Sequence, residues 1–281
     1  MLVEQAPPRT VIPARHRLTL HRPPEPAPPV EADPYGNQLL AALPAADWQL
    51  WSHQLELVDM PRGQVLYDSG SRCTYVHFPT TSIVSLIVLM ANGDSAEVAT
   101  VGNDGVIGMP LLLGGHSSMG RAVVQCAGHG YRIKSEVVID AFNRGGAVMQ
   151  LLLRYSQALL TQMAQTAACY RHHTVDQQVC RLILLSLDRV RGNHLQMTQE
   201  LLAGKLGVRR ESVTEVALAL LRAGLIRYAR GSIEVLDREG LEARACECYS
   251  VVRLEADRLL QLARAPAADC WARYRGAMAN G

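Results

Sequence analysis

Arg209, Arg210, Glu211, Ser212, Thr214 and Glu215 crowd hydrogen-bonding side chains into a stretch that reads as one helix. An arginine presents two parallel donors that match the O6 and N7 acceptors of guanine, and a carboxylate can accept from the amino group of cytosine. Hydroxyls bond to phosphate or to base edges. The chemistry implied is recognition, not bond making. Val213, Val216, Leu220 and Leu221 recur at helical spacing and form the expected inward face, which leaves Arg210, Glu211, Thr214 and Glu215 on other faces. A preceding helix is opened by Thr198 as cap, with Glu200 in its first turn and Leu201, Leu202 and Leu206 inward, and Gly207 breaks it. Behind both helices, Ile226 to Ala229 and Ile233 to Leu236 are short apolar runs joined by Arg230-Gly231-Ser232, the pattern of a hairpin. Helix, turn, helix and hairpin make a winged helix-turn-helix. Its double-stranded DNA face is expected to comprise Thr198, Gln199, Arg209, Arg210, Glu211, Ser212, Thr214, Glu215, Arg230 and Ser232, with Arg210 as the guanine contact.

Soft metal ligands occur elsewhere. Cys169, His172, His173 and Cys180 lie near one another in sequence, and Cys246-Glu247-Cys248 adds two thiols. Thiolate and imidazole favour zinc, iron or copper. The spacing is irregular and contains no CxxC pair, so these are read as ordinary buried or surface residues and no metal is assigned. Catalysis is not expected either. The glycines of GNDGVIG at 102–108 do not form GxGxxG, no GKS or GKT loop is present, and His116-Ser117-Ser118 has no identifiable acid partner.

The elements that must position the reading helix follow from pattern. Residues 1–34 hold nine of the fourteen prolines and four arginines, and predict a disordered or extended basic arm. Residues 37–57 suggest short helices interrupted at Pro44. Beyond Pro61, the runs 64–67, 74–78, 82–90, 96–101, 121–126 and 131–134 are β-rich and separated by turn residues, which predicts a small antiparallel roll over 35–145. Glu136 to Asn143 reads as a short helix. A long one follows over 146–172, with Val148, Leu151, Leu152, Tyr155, Leu159 and Met163 as an apolar stripe. That stripe calls for a partner, either the same helix of a second subunit or the chain's own roll. Asp176 to Val190 reads as another amphipathic helix, the reading domain spans 173–240, and 241–281 is a C-terminal helix and tail. In that last segment one helix from Arg238 to Leu262 is expected to bury Leu241, Ala245, Cys248, Val252, Leu259 and Leu262. The fold class is α+β: an N-terminal jelly-roll-like β-roll, a long dimerisation helix and a C-terminal winged helix-turn-helix.

A net charge of +2 conceals unlike halves. Residues 35–145 carry 6 Lys and Arg against 9 Asp and Glu, while 191–236 carry 7 against 4, so the positive share lies with the expected DNA reader. No apolar run approaches the ~18 residues that suggest a membrane span. Seven scattered cysteines and no opening apolar signal segment lead to the expectation of a reducing cytoplasm.

The order β-roll, long helix, winged helix-turn-helix resembles the bacterial Crp/Fnr family of transcription regulators over about residues 37–240. The sharpest segment is LGVRRESV at 206–213, close to the family's Gly-x-Ser-Arg-Glu-Thr-Val opening of the recognition helix. The resemblance assigns Arg210 and Glu211 to base contacts. It also implies a homodimer through the long helix and RNA polymerase as a further partner. Arg209 stands where the family has a capping serine, and Glu215 where well-known members place a second base-reading arginine, so a different operator is expected. The roll resembles a cyclic-nucleotide-binding domain, and its phosphate cassette aligns with 106–111 and 120–123. Gly108 and Arg121 match, whereas Met109 replaces the ribose-binding glutamate and Ala122 the small hydroxyl residue after the arginine. Losing a buried ribose contact costs on the order of 1 to 3 kcal/mol. Met163 and Ala164 stand where hydroxyls would meet the base. The candidate effector site is therefore Gly108, Met109, Arg121 and Ala122. It suits a nucleotide-like or other phosphate-bearing effector other than cyclic AMP in its usual pose; the alternative is a structural ion pair from Arg121 to Asp104 or Glu97. No cofactor is assigned. A second reading is a ligand-binding or protein-interaction module whose helix-turn-helix no longer reads DNA.

Overall fold

Asn37 anchors the start of the ordered fold. Its side-chain oxygen caps helix α1 (Gln38–Ala41), while its amide nitrogen donates to the carbonyls of Pro79 and Gly105 at 2.8 and 2.9 Å. A completely buried amide is tolerated because both ends are satisfied. The computed structural model describes residues 33–264 apart from 115–117, 119 and 230. The arm at 1–32, the tail at 265–281 and Arg230 lie outside the described residues, as do His116, Ser117 and the side chain of Leu262. Pro34, counted above with the arm, belongs instead to a 3-10 turn at Pro34–Gly36.

After α2 (Ala45–Ser52), seven strands form two antiparallel sheets: β1 (Glu56–Met60), β2 (Val65–Tyr67), β3 (Tyr75–Pro79), β4 (Ile83–Leu89), β5 (Ser95–Val101), β6 (Arg121–Cys126) and β7 (Gly128–Lys134). One sheet runs β1-β7-β3 and the other β2-β6-β4-β5. Phe78 opposite Tyr131 and Leu86 opposite Ala122 are among the cross-strand pairs that face a shared core with Trp51, Ile107 and Ile133. Strand β1 was not expected. Its residues alternate weakly and most are exposed, so it carries little of the period-2 signal that marked the others. A short turn of helix α3 (Met109–Leu112) and then α4 (Ser135–Asn143) close the roll.

The long helix α5 runs Ala147–His172. Its buried residues, among them Val148, Leu151, Leu152 and Leu159, join the core of the roll, so the apolar stripe is covered within the chain. Helix α6 (Val175–Leu187) opens with a complete capping box between Thr174 and Gln177. Strand β8 (His194–Gln196), helices α7 (Gln199–Leu206) and α8 (Arg210–Arg222), and strands β9 (Ile226–Ala229) and β10 (Ser232–Val235) complete the winged helix-turn-helix. The wing has three strands in the order β8-β10-β9, one more than the hairpin expected, because His194–Gln196 pairs with β10 across the intervening helices.

The single helix expected at 238–262 is two: α9 (Arg238–Arg244) and α10 (Glu247–Arg264), broken at Ala245-Cys246. The break turns α10 back along α5. Leu241, Tyr249 and Val252 join the same core as Leu202, Val213 and Leu220, so the C-terminal helices are part of the reading domain's packing. A boundary at residue 240 cuts α9.

Candidate nucleic-acid interface

Thr198 caps α7 by accepting from the Leu201 amide at 3.1 Å, as its spacing implied. Gly207 then adopts φ 64°, a left-handed turn that L side chains rarely take, and redirects the chain into α8. Arg209 stands at the cap of α8 with extended backbone and makes no capping bond through its side chain, which leaves its guanidinium for other partners. Val213, Ala217 and Leu220 form the buried stripe of α8. Leu221, expected inside, is 45% exposed, because it lies one helical step of about 100° beyond the fully buried Leu220 and falls off the Val213–Ala217–Leu220 stripe.

The buried stripe fixes what faces outward. Arg209, Arg210, Glu211 and Glu215 are exposed, while Ser212 and Thr214 are half-buried. Thr214 donates its hydroxyl to Gln199 Oε1 at 2.8 Å, which ties the two helices together and directs the amide nitrogen of Gln199 away from that bond. The backbone amide of Gln199 in turn donates to the Tyr228 hydroxyl of β9. Arg210 lies 3.8 Å from Glu200, but both side chains are largely exposed, so this pair is weak and the guanidinium can be drawn to a stronger partner. On the wing, Ser232 pairs with Gln196 and Ala229, and a Cβ at neighbouring Gly231 would approach Thr198 to 3.0 Å. The structure thus gathers Thr198, Gln199, Arg209, Arg210, Glu211, Ser212, Thr214, Glu215 and Ser232 on connected elements of one domain.

Two ion pairs tie this domain to the roll. Lys205 of α7 meets Glu97 of β5, both side chains 4% exposed, and Glu97 also accepts from Thr100 at 2.7 Å. Burial lowers the pKa of Lys205, against the pull of the carboxylate. Arg189, after α6, meets Asp104 at 2.7 Å. Neither contact was visible in the sequence, since each joins residues about a hundred positions apart.

In the cassette, Gly108 adopts φ 126° and its backbone lies against Val76, whose Cγ2 a Cβ would approach to 3.1 Å. Met109 is 4% exposed and Ala122 fully buried, and both belong to the roll's core. Arg121 forms a two-pronged bond to Asp68, Nε to Oδ1 at 2.9 Å and the terminal nitrogen to Oδ2 at 2.6 Å. Asp104 and Glu97, the carboxylates proposed for it from sequence, are engaged by Arg189 and Lys205 instead. Arg121 and Asp68 shift each other's pKa, the arginine's upward and the aspartate's downward, chiefly through this bond.

The soft ligands divide. Cys169, His173, Cys246 and Cys248 come together, whereas His172 and Cys180 are not in this group.

Residues 177–244 match the model of a Crp-like helix-turn-helix domain. No curated protein matches the chain. Among solved structures, the chain is similar to FixK2 from Bradyrhizobium japonicum, at 18% identity over 68% of this chain and 98% of that one with a TM-score of 0.59. It is also similar to the c-di-GMP-responsive global regulator CLP from Xanthomonas campestris, at 15% identity over 68% and 99% with a TM-score of 0.55. A Crp/Fnr-family transcriptional regulator from Thermus thermophilus shares 22% identity over 68% and 98%, with a TM-score of 0.54. These likenesses are of fold. Residues 177–244, which include Gly207 and Arg210, thus carry a Crp-like helix-turn-helix domain, and the roll, long helix and wing share the fold of these solved structures.

Proposed function

We propose that the chain is a dimeric transcription regulator in which α8 enters the major groove, the wing and the start of α7 contact phosphates, and a signal at the roll adjusts the spacing of two such helices. The observation that carries this is the outward face of α8, where Arg209, Arg210, Glu211 and Glu215 stand exposed over a buried Val213, Ala217 and Leu220. Two arginines near the head of that helix supply guanine readout and phosphate attraction, and Glu215 supplies an acceptor for a cytosine amino group. Arg230 joins the proposed wing contact from the sequence alone.

Dimerisation through α5 is supported by a second stripe, on the face opposite the roll. Leu153, Gln157, Leu160, Ala164 and Ala167 are exposed and alternate four and three residues apart, the spacing of a two-helix seam. Its small alanines allow close approach. Two reading heads held by such a seam suit two half-sites about one DNA turn apart. The effector proposed for the roll carries a phosphate, with Arg121 as its anchor, and would have to displace Asp68 from the guanidinium. RNA polymerase as a partner and the cytoplasm as location are proposed from the regulator class; no helix among the described residues is long and apolar enough to cross a membrane.

A second reading, in which α8 binds protein and not DNA, draws on Leu218 and Leu221, both exposed on that helix. One experiment separates the two. A site selected from random duplexes by the wild-type chain should be bound by Arg210→Ala with discrimination at one base pair reduced by about 1 to 3 kcal/mol. Failure of the wild-type chain to enrich any sequence, with or without cell extract, counts against DNA reading.

A further inference from the structure

Cys169 and His173 sit one turn apart at the end of α5, and Cys246 and Cys248 sit where α9 breaks into α10. The two pairs lie more than seventy residues apart in the chain, yet their Sγ and imidazole nitrogen atoms all lie within 4.8 Å of one another. Cys169 Sγ is 3.6 Å from Cys246 Sγ, and Cys248 Sγ is 3.6 Å from His173 Nδ1. A tetrahedral zinc with bonds of about 2.3 Å to sulfur holds neighbouring ligand sulfurs about 3.8 Å apart. The three sulfurs are buried and form a small cluster of their own, apart from the two large cores.

We propose that Cys169, His173, Cys246 and Cys248 bind a divalent ion of the zinc type in a closed tetrahedral site. The surroundings fit this chemistry. With Nδ1 facing the cluster, the far nitrogen of His173, Nε2, lies 3.2 Å from a Glu247 carboxylate oxygen, the outer partner that fixes the tautomer and orientation of a metal-bound imidazole. Gln178 donates from its amide nitrogen to the carbonyls of Cys169 and His173, at 3.2 and 2.8 Å, which holds the last turn of α5 in shape. Three thiolates and a neutral imidazole around a divalent ion leave one negative charge. Arg181, 2% exposed, lies close enough to act on Cys169 and Cys248 and donates to Thr166 at 2.8 Å, while its Nε has no partner among the described residues. Its buried positive charge offsets the excess.

The site would staple the end of the long helix to the helix that follows the wing, at the point where α5 gives way to the reading domain. Metal occupancy would then set how rigidly that domain follows α5. Binding of the ion is independent of whether the chain reads DNA.

The full chain, purified under reducing conditions without chelator or metal-affinity tag, is expected to contain about one zinc per chain by elemental mass spectrometry. Replacing zinc by cobalt should give the intense visible bands of a tetrahedral thiolate site. Titrating the wild-type chain with a mercurial should release the metal as three thiols react, a readout that needs no variant to fold. Cys248→Ser and His173→Ala should lose the metal, Cys180→Ser should keep it, and Glu247→Gln should bind about 10- to 100-fold more weakly. A reduced wild-type chain that takes up neither zinc nor cobalt overturns the proposal. So does metal content unchanged in folded Cys248→Ser, or oxidation of Cys169 and Cys246 to a disulfide as the only chemistry detected.

Discussion

Arg121 shows how a matching residue can acquire a different local role. Its planar fork fits a phosphate, but in this fold the same two donors fit Asp68. Freeing the fork is the direct way to ask whether it retains an anion site. Asp68→Asn should strengthen binding of phosphate-bearing ligands in calorimetry with a panel that includes cyclic AMP and c-di-GMP, and Asp68→Asn/Arg121→Ala should abolish the gain. A panel that binds neither wild type nor Asp68→Asn would leave Arg121 with its structural bond alone. At this scale helix α8 was legible, because Arg210, Glu211 and Glu215 stand off the helical period that buries Val213, Ala217 and Leu220. The partner of Arg121 was not, since Asp68 follows β2 and nothing in the spacing of fifty-three residues says which loop returns beside β6. The four metal-type ligands were hidden for the same reason: their closeness depends on α10 folding back along α5.

Among the elements, α5 carries two stripes where periodicity suggested one. The stripe through Leu151, Leu152 and Leu159 packs on the roll, and the one through Leu153, Leu160 and Ala164 remains exposed. Leu160, 58% exposed, lies near the middle of the second stripe. Leu160→Glu should convert a dimer into a monomer in sedimentation, with the thermal midpoint of the roll little changed, because the buried stripe is untouched; a dimer that persists places the seam elsewhere. Strand β1 and the break at Ala245-Cys246 escaped the sequence for opposite reasons. β1 has too little buried surface to leave a pattern, while the break preserves helical apolar spacing on both sides and contains no glycine or proline.

For the whole molecule, acid is a probe of the roll. Burial holds His77 of β3 largely neutral, with its pKa lowered from 6.5 to about 4, and the nearby Arg132 charge adds to the effect. Unfolding exposes the imidazole, so between those values the unfolded chain binds the extra proton. Stability from this group is full above pH 6.5 and falls as pH drops towards 4, by on the order of 1 to 3 kcal/mol. His77→Gln should flatten that part of the denaturation profile; an unchanged slope would assign the acid loss to other groups. The broad architecture was legible because a roll, a long helix and a winged helix-turn-helix each have their own period. How the parts bond to one another was not, because those contacts are single side chains.

The dry bond from Lys205 to Glu97 bears on how freely such proteins can be recombined. A reading domain grafted from a relative onto this roll must bring a cation at the position of Lys205. Otherwise Glu97 stays buried without a counter-charge, a penalty of about 3 to 5 kcal/mol when one member of such a pair is removed. The joint between the roll and the helix-turn-helix domain is therefore keyed, and a chimera whose junction is chosen only by helix boundaries inherits half of the key.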